Sequence, residues 1–447
     1  MVCAVLNRKG GNQAVKRTLW LLALCAVLLG LSGCDLYQPD VDSLLSPPVL
    51  SELQNEVDLA LQDVVGEDFK LRYPSGGSYR SPYIFSDLDG DGAEEAVVFY
   101  TTGEEPLVYL QVLDRQEGRW RAYNALPGLE GEVLFVDFHH LQSGSITDLL
   151  VGWSEPDLQY NTLCLYRYQD NSLTELFRVN YDGIAVADFD GNGTEELVTA
   201  TLDSGVMLQL TGWDGSGISV LDTTYSSLRL QNLNETVIGQ ISPGLPGAVF
   251  YGRINTDMTA SLAVGVRGAR LILPQETSEA YYADGYCYSG AVPADINGDG
   301  IIELPWSAPA PGYTGAGREE IRYFTEYRSL QEGKSLPVAV SCESIADGWR
   351  WILPESLTAL YRSGSLSLVR LAETREVVLF RYNGSLSDYG QEYLRLRVVA
   401  AADSPNGFED TRYTLLATRG QFSYYALLPP GSPLTTQQIE QGFSLLG

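Results

Sequence analysis

The nine residues Asp87-Leu88-Asp89-Gly90-Asp91-Gly92-Ala93-Glu94-Glu95 recur as Asp188-Phe189-Asp190-Gly191-Asn192-Gly193-Thr194-Glu195-Glu196, and again as Asp295-Ile296-Asn297-Gly298-Asp299-Gly300-Ile301-Ile302-Glu303. Each copy puts side-chain oxygens at positions 1, 3 and 5, glycine at 4 and 6, and a carboxylate at 9. Position 7 (Ala93, Thr194, Ile301) is free to vary because it would offer only its carbonyl. A donor set made of oxygens alone, mixing carboxylates with amides and carbonyls, suits a hard cation and calcium above all. The glycines let the backbone turn tightly enough for the side chains to converge. A single copy could be a solvated acidic turn. Three at the same spacing point to three calcium sites with a structural role.

Apolar strand-like runs precede the loops: Tyr83-Ile84-Phe85, Ile184-Ala185-Val186 and Ala291-Val292. The first two are followed by further strand-like runs, at 96–100 and 197–200, and the third by Leu304-Pro305-Trp306. An EF-hand would need flanking helices and a twelve-residue loop. β-branched and aromatic flanks instead make each loop a turn between two strands. This pattern resembles the FG-GAP or VCBS-type repeat found in integrin α-chain propellers and many bacterial surface proteins, and the similarity covers about residues 80–345. The resemblance implies a β-propeller built from such units.

The first Asp of each loop sits at 87, 188 and 295, gaps of 101 and 107, or two repeats of about 50 residues each. Repeats without most of the ligands are expected near 137 and 241. Phe135-Val136-Asp137 leads through a long turn to Asp148-Leu149-Leu150-Val151-Gly152, and residues 237–241 lead through Pro243-Gly244 to Ala248-Val249-Phe250-Tyr251. The expected blades are 82–130, 131–180, 181–235, 236–288 and 289–345, each with room for four strands. The fold class expected is therefore mainly β: a propeller of about five blades over 81–346, with six or seven as alternatives, then a small α+β domain over 347–447. Strands in that last part are expected at 365–371, 376–382, 393–400, 414–417 and 422–427, followed by a helix with Thr435 and Gln438 as its capping box.

The N-terminus reads differently. Arg8, Lys9, Lys16 and Arg17 precede a 13-residue apolar core from Leu19 to Leu31, short for a bilayer span. Leu31-Ser32-Gly33-Cys34 then has the form of a lipobox. Residues 1–33 are expected to be a lipoprotein signal peptide, with Cys34 the lipidated residue that ties the protein to the membrane on the outer face of the cell; the alternative is an ordinary export signal. Residues 34–50, with Pro39, Pro47 and Pro48, read as a tether, and 51–80 as a helix and lead-in. Ser51 and Gln54 form a capping box, with Leu53, Val57, Leu61 and Val64 at helical spacing.

From Cys34 onward 25 basic residues face 57 acidic ones, a net charge of −32. So acidic a chain is a poor partner for nucleic acid. Three cysteines remain after Cys34: Cys164, Cys287 and Cys342. In an oxidising compartment Cys287 and Cys342 are the candidate disulfide, with three buried thiols as the alternative.

No nucleophile elbow, Walker loop or His-Glu-x-x-His is present. His139 and His140, the only histidines, fall in the degenerate turn of the second repeat. Asp137 and Asp148 could join them around zinc, but exposed turn residues are the expected reading. A glycosidase would need two carboxylates, for which Glu105 and Asp157 are an arbitrary pair. Tyr281, Tyr282, Tyr286 and Tyr288 crowd before the third loop and Tyr313 follows it. Such aromatics suit glycan or peptide binding, or else fill blade interfaces. The sequence thus points to a non-catalytic binding or adhesion module for a glycan, peptide or protein at the cell envelope. The alternatives are a carbohydrate-active enzyme and an accessory subunit of an envelope complex.

Overall fold

Strand periodicity governs most of the chain. The computed structural model describes residues 51–447 except 104–105, 155–159, 275–285, 289, 318–319, 332–333, 388–389, 404–407, 409 and 447. The expected signal, tether and Cys34 lie outside the described residues, as do Glu105, Asp157, Tyr281 and Tyr282. The chain divides after Glu56 into two units. In the first, the described residues open helix α1 (Glu52–Val65). The expected capping box is formed there: Ser51 N donates to Gln54 Oε1 at 3.0 Å, and Gln54 N to Ser51 Oγ at 3.2 Å.

The second unit, Val57–Gly447, contains six antiparallel sheets taken in chain order. In the first sheet, β1 (Phe69–Arg72) and β2 (Tyr83–Ser86) share one edge of β3 (Glu95–Thr102), which pairs with β4 (Leu107–Gln116). On the far edge of β4 lie β5 (Arg119–Ala122) and β6 (Leu126–Glu130). The second sheet is a meander of β7 (Glu132–His139), β8 (Asp148–Ser154), β9 (Asn161–Gln169) and β10 (Ser172–Tyr181). The third is β11 (Gly183–Ala187), β12 (Glu196–Leu202), β13 (Val206–Trp213) and β14 (Ile218–Ser226). The fourth is β15 (Asn232–Ser242), β16 (Leu245–Arg253), β17 (Thr259–Val266) and β18 (Leu271–Ile272), with β19 (Tyr286–Cys287) also on β17. The fifth is β20 (Leu304–Pro309), β21 (Tyr323–Gln331), β22 (Lys334–Ser344) and β23 (Trp349–Ile352), extended by the final strand of the chain, Phe443–Leu445.

The sequence boundary at 346/347 therefore falls inside a sheet. β23 completes the fifth meander, because Trp349 and Trp351 are fully buried and pair with Ser344 and Cys342. After it come helix α2 (Glu355–Arg362), β24 (Leu366–Leu371), β25 (Glu376–Arg381), β26 (Glu392–Ala400), β27 (Thr414–Arg419), β28 (Phe422–Leu427), helix α3 (Thr436–Gly442) and β29 (Phe443–Leu445). The sixth sheet runs in the order β24-β25-β26-β28-β27.

The first five sheets bury both faces by alternation, and the sixth buries one against the fifth. In β8, Leu149, Val151 and Trp153 pack against Ile84, Val97 and Phe99 of the first sheet, while Leu150 faces Leu197 of the third. Val198, Leu208 and Leu210 of the third sheet meet Phe250, Leu262 and Val264 of the fourth. Val249 and Ala263 meet Leu304 and Leu330 of the fifth. Phe324, Trp349 and Trp351 meet Leu366, Leu379, Leu396 and Tyr424 of the sixth. A one-residue slip in any strand would turn both of its apolar sets to the wrong neighbours. The remaining face of the first sheet, with Tyr83, Ala96, Val98 and Tyr100, is covered by Val57 and Leu61 of α1. Burying those two side chains contributes about 1.5–3 kcal/mol each. Among the described residues no core cluster joins the first sheet to the fifth.

The expected Cys287–Cys342 disulfide is not formed. Cys287 packs with Ala291 and Tyr327, and its Sγ hydrogen-bonds Ser307 Oγ at 3.1 Å. Cys342 belongs to a different cluster, among Phe324, Trp349 and Trp351, where burial raises its thiol pKa far above the ordinary value. The two thiols are thus separate core side chains.

Candidate functional site

The first two loops join β2 to β3 and β11 to β12, and the third leads into β20. Their hydrogen bonding is the same three times over. The position 1 carboxylate accepts from the two glycine amides with separate oxygens. Asp87 takes Gly90 N at 2.8 Å and Gly92 N at 3.1 Å. Asp188 takes Gly191 N at 2.8 Å and Gly193 N at 2.9 Å. Asp295 takes Gly298 N at 2.8 Å and Gly300 N at 2.9 Å. The six glycines all have φ between 74° and 90°, a region that side chains disfavour, which is why these positions are glycine in every copy.

The position 3 oxygens of Asp89, Asp190 and Asn297 accept from the amides two residues on, at 3.1, 3.1 and 2.9 Å. Position 5 repeats the arrangement, with Asp91, Asn192 and Asp299 accepting from the amides of Ala93, Thr194 and Ile301. Each of these side chains is held by its own turn, but among the described residues three carboxylates converge only in the first two loops, not in the third. Carboxylate oxygens of Asp87, Asp89 and Asp91 lie within 4.8 Å of one another, and so do those of Asp188, Asp190 and Glu196.

The position 9 glutamates begin the following strands and are buried: Glu95 and Glu303 at 0% exposure, Glu196 at 4%. One oxygen of each accepts the amide of position 2: Leu88 at 2.7 Å, Phe189 at 3.0 Å and Ile296 at 2.9 Å. The second oxygen, Oε1, of Glu95 and of Glu303 is buried without any hydrogen-bond donor. Burial, and then the nearby loop carboxylates, raise all three glutamate pKa values to about 7. A buried acceptor without a donor, beside further carboxylates, costs free energy unless a cation answers it. The chemistry of the donor set suits a hard divalent cation, which Asp87, Asp89, Asp91 and Glu95 would hold in one loop and Asp188, Asp190, Asn192 and Glu196 in the next; Asp295, Asn297, Asp299 and Glu303 offer the same donor types without the same convergence of carboxylates.

The repeats without ligands are docked onto the loops. Thr147 N donates to Leu88 O at 2.9 Å, and the second sheet's turn lies so close that a Cβ on Gly90 would meet Ser145 Oγ at 2.1 Å. The same turn reaches the second loop, where Glu195 N donates to His140 O at 2.8 Å. In the fourth sheet Ile302 N donates to Gln240 O at 2.7 Å, beside the third loop.

His139 departs from the expected exposed turn residue. Its side chain is 13% exposed and lies between two acids, Nδ1 3.2 Å from Glu195 Oε2 and Nε2 3.6 Å from Asp137 Oδ2. Burial opposes its charge, but the hydrogen bonds to Asp137 and Glu195 prevail and raise its pKa to about 9. Asp148 does not join it: Asp148 is paired with Arg167 at 2.7 Å. His140 is exposed. Glu195 was not singled out in the sequence; it is half-buried against a neighbour's turn, while the equivalent Glu94 of the first loop is exposed, so position 8 carries no signal of its own.

The aromatic residues separate. Tyr313 is core, with its hydroxyl donating to Leu368 O at 2.9 Å. Tyr286 packs at the edge of the core between the third and fourth sheets. Tyr288 is 37% exposed and stacks on Tyr323, ring centroids 5.1 Å apart and planes 7° apart.

No family model matches the chain, and no curated protein matches it. Among solved structures it is similar to a rhamnogalacturonan lyase of Bacillus licheniformis (14% identity, 60% of this chain and 64% of that one, TM-score 0.29). The chain thus spans less than two thirds of that lyase's length. It is also similar to Sqt1 of Saccharomyces cerevisiae (12% identity, 78% and 93%, TM-score 0.28) and to Chaetomium thermophilum Sqt1 bound to the N-terminus of ribosomal protein L10 (9% identity, 75% and 93%, TM-score 0.30). All three TM-scores are too low for a shared fold to be read from them.

Proposed function

We propose that this chain is an exported, lipid-anchored protein in which calcium staples the turns of a propeller-type array of five blades, and that the array serves as a non-catalytic binding module at the cell envelope. The observation that carries the reading is the donorless buried oxygen of Glu95 and Glu303, each at the end of a loop that holds further side-chain oxygens. Calcium satisfies that oxygen together with carboxylate and amide donors in irregular geometry, whereas magnesium demands a near-ideal octahedron and zinc favours nitrogen and sulfur. The blade reading is supported by five meanders in chain order, each burying its faces on its neighbours. Anchoring rests on the lipobox before Cys34: Cys34→Ser should release the protein from membranes, and retention would remove the anchor.

The non-catalytic part is supported by buried acids that the fold holds through at least one oxygen each. Glu95, Glu196 and Glu303 serve the loops. Asp148 pairs with Arg167, Asp347 with Arg370 and Arg375, and Glu376 with Arg395. A general acid would need a carboxyl group freed from such partners and open to substrate. The test combines melting of the full chain in detergent, with calcium or chelator, and a turnover assay on polysaccharides. Calcium-dependent stability without turnover agrees with the reading; turnover by the calcium-loaded chain would overturn its non-catalytic part.

A further inference from the structure

A cleft of about 890 Å³ opens where the fourth, fifth and sixth sheets meet. Its size lies within the ~300–1,000 Å³ of ordinary ligand sites. Its charge runs against the rest of the chain. Arg253, Arg322 and Arg370 line it with only Asp257 and Glu343, in a protein with 29 basic and 57 acidic residues. Glu343 Oε1 is answered within the fold by Arg350 at 2.7 Å and by the Tyr327 hydroxyl at 2.7 Å, while its buried Oε2 has no donor. Asp347 sits between Arg370 and Arg375, so one carboxylate answers two guanidinium groups. Among the described lining residues three guanidinium groups thus stand with two carboxylates.

One wall carries the Tyr288–Tyr323 stack, with Tyr288 the exposed ring. Its backbone is held by a bond from Tyr288 N to Ser307 Oγ at 3.1 Å. The adjoining rim, 253–259, whose Thr259 pairs with Cys287, is held by Asn255 Oδ1, which accepts from Asp257 N at 2.9 Å and Met258 N at 3.0 Å. A rigid flat aromatic face, a positive wall and an amide-rich rim form a preorganised site.

We infer that this cleft binds an acidic carbohydrate, a short oligosaccharide whose sugar rings lie on Tyr288 and whose carboxylates meet Arg253 and Arg322. The inference rests on the binding-module reading above and gives it a place and a ligand class. Guanidinium groups match carboxylates bidentately, and Tyr rings offer large apolar faces at low entropic cost. An acidic peptide would use the arginines alone, whereas the flat exposed ring of Tyr288 beside them favours a sugar ring.

The test is calorimetric titration of the full chain in detergent at constant calcium. The probes are a galacturonic acid oligomer, its carboxyl-reduced neutral counterpart and an acidic phosphopeptide. The acidic sugar is expected to bind about tenfold or more tightly than the neutral one, with affinity falling as salt rises. Arg253→Ala should weaken the acidic sugar about tenfold and leave the neutral one unchanged, while Tyr288→Ala should weaken both. Unchanged melting temperatures in both variants would show that the fold is kept. No binding of the acidic sugar, or binding unaltered in the two variants, would overturn the inference while leaving a calcium-stabilised module standing. Capture of the phosphopeptide in its place would overturn the carbohydrate assignment. Cleavage of the bound sugar would sink the non-catalytic reading and leave the cleft.

Discussion

At the scale of single residues, two groups titrate in opposite senses. Glu95, Glu196 and Glu303 have folded pKa values of about 7 when no cation answers them, above the ordinary carboxyl value of 4.5. Between those limits the folded chain holds more protons than the unfolded one. Stability in chelator should therefore fall as pH rises from about 4.5 to 7, and calcium should reverse the trend. Glu303→Gln should flatten part of that fall and diminish the calcium-dependent gain. Melting curves across this window check both, and stability that rises with pH in chelator would contradict the account. His139 is raised from 6.5 to about 9 by its two acids. Its contribution is fully present below about 6.5 and lost as pH rises through about 9. His139→Gln should cost roughly 1 kcal/mol near pH 6, since the acids are partly exposed, and almost nothing above pH 9. An equal loss at both pH values would show that packing, not charge, holds the second turn to the second loop.

At the scale of elements, the loops and turns lock neighbouring sheets together. Gly90 and Gly118 share a φ of 79°, but a Cβ at Gly90 would strike Ser145 whereas one at Gly118 meets nothing within 4 Å. Gly118→Ala should cost about 1 kcal/mol from backbone strain alone, and Gly90→Ala at least about 2 kcal/mol more, partly relieved by Ser145→Gly. Equal costs in denaturant unfolding would mean that the turn is not docked. The strands of these sheets were legible because alternation is local: Asp148 to Gly152 reads as a strand without knowing its neighbours. The loops were legible because nine positions repeat three times. What was not legible depends on distant partners. Helix α2 follows Pro354 with no side-chain cap to announce it. β29 is three residues long and exists only because Trp349 and Trp351 lie opposite Leu445 and Phe443. Tyr313 sits in a Gly/Pro-rich stretch and is buried by an acceptor 55 residues away. His139 gained its role from Glu195, 56 residues on.

At the scale of the whole molecule, the acidic composition, the sheet order and the loops belong to one account. On the proposal, cations held at three similar turns would tie strands in the first, third and fifth sheets, while the second and fourth sheets are held through turns docked on those loops. Binding to the folded state alone would stabilise it by about 2.7 kcal/mol per site at a hundredfold excess over the dissociation constant. Chelation should then lower the melting temperature by a cooperative step, and Asp188→Ala should remove only the share of one loop. The most direct test is a count of bound calcium by native mass spectrometry of the full chain released from detergent. The account predicts three ions, falling to two in Asp188→Ala, with none assigned to the turns near 137 and 241. A chain that holds no calcium, or that keeps the same number after Asp188→Ala, would contradict it.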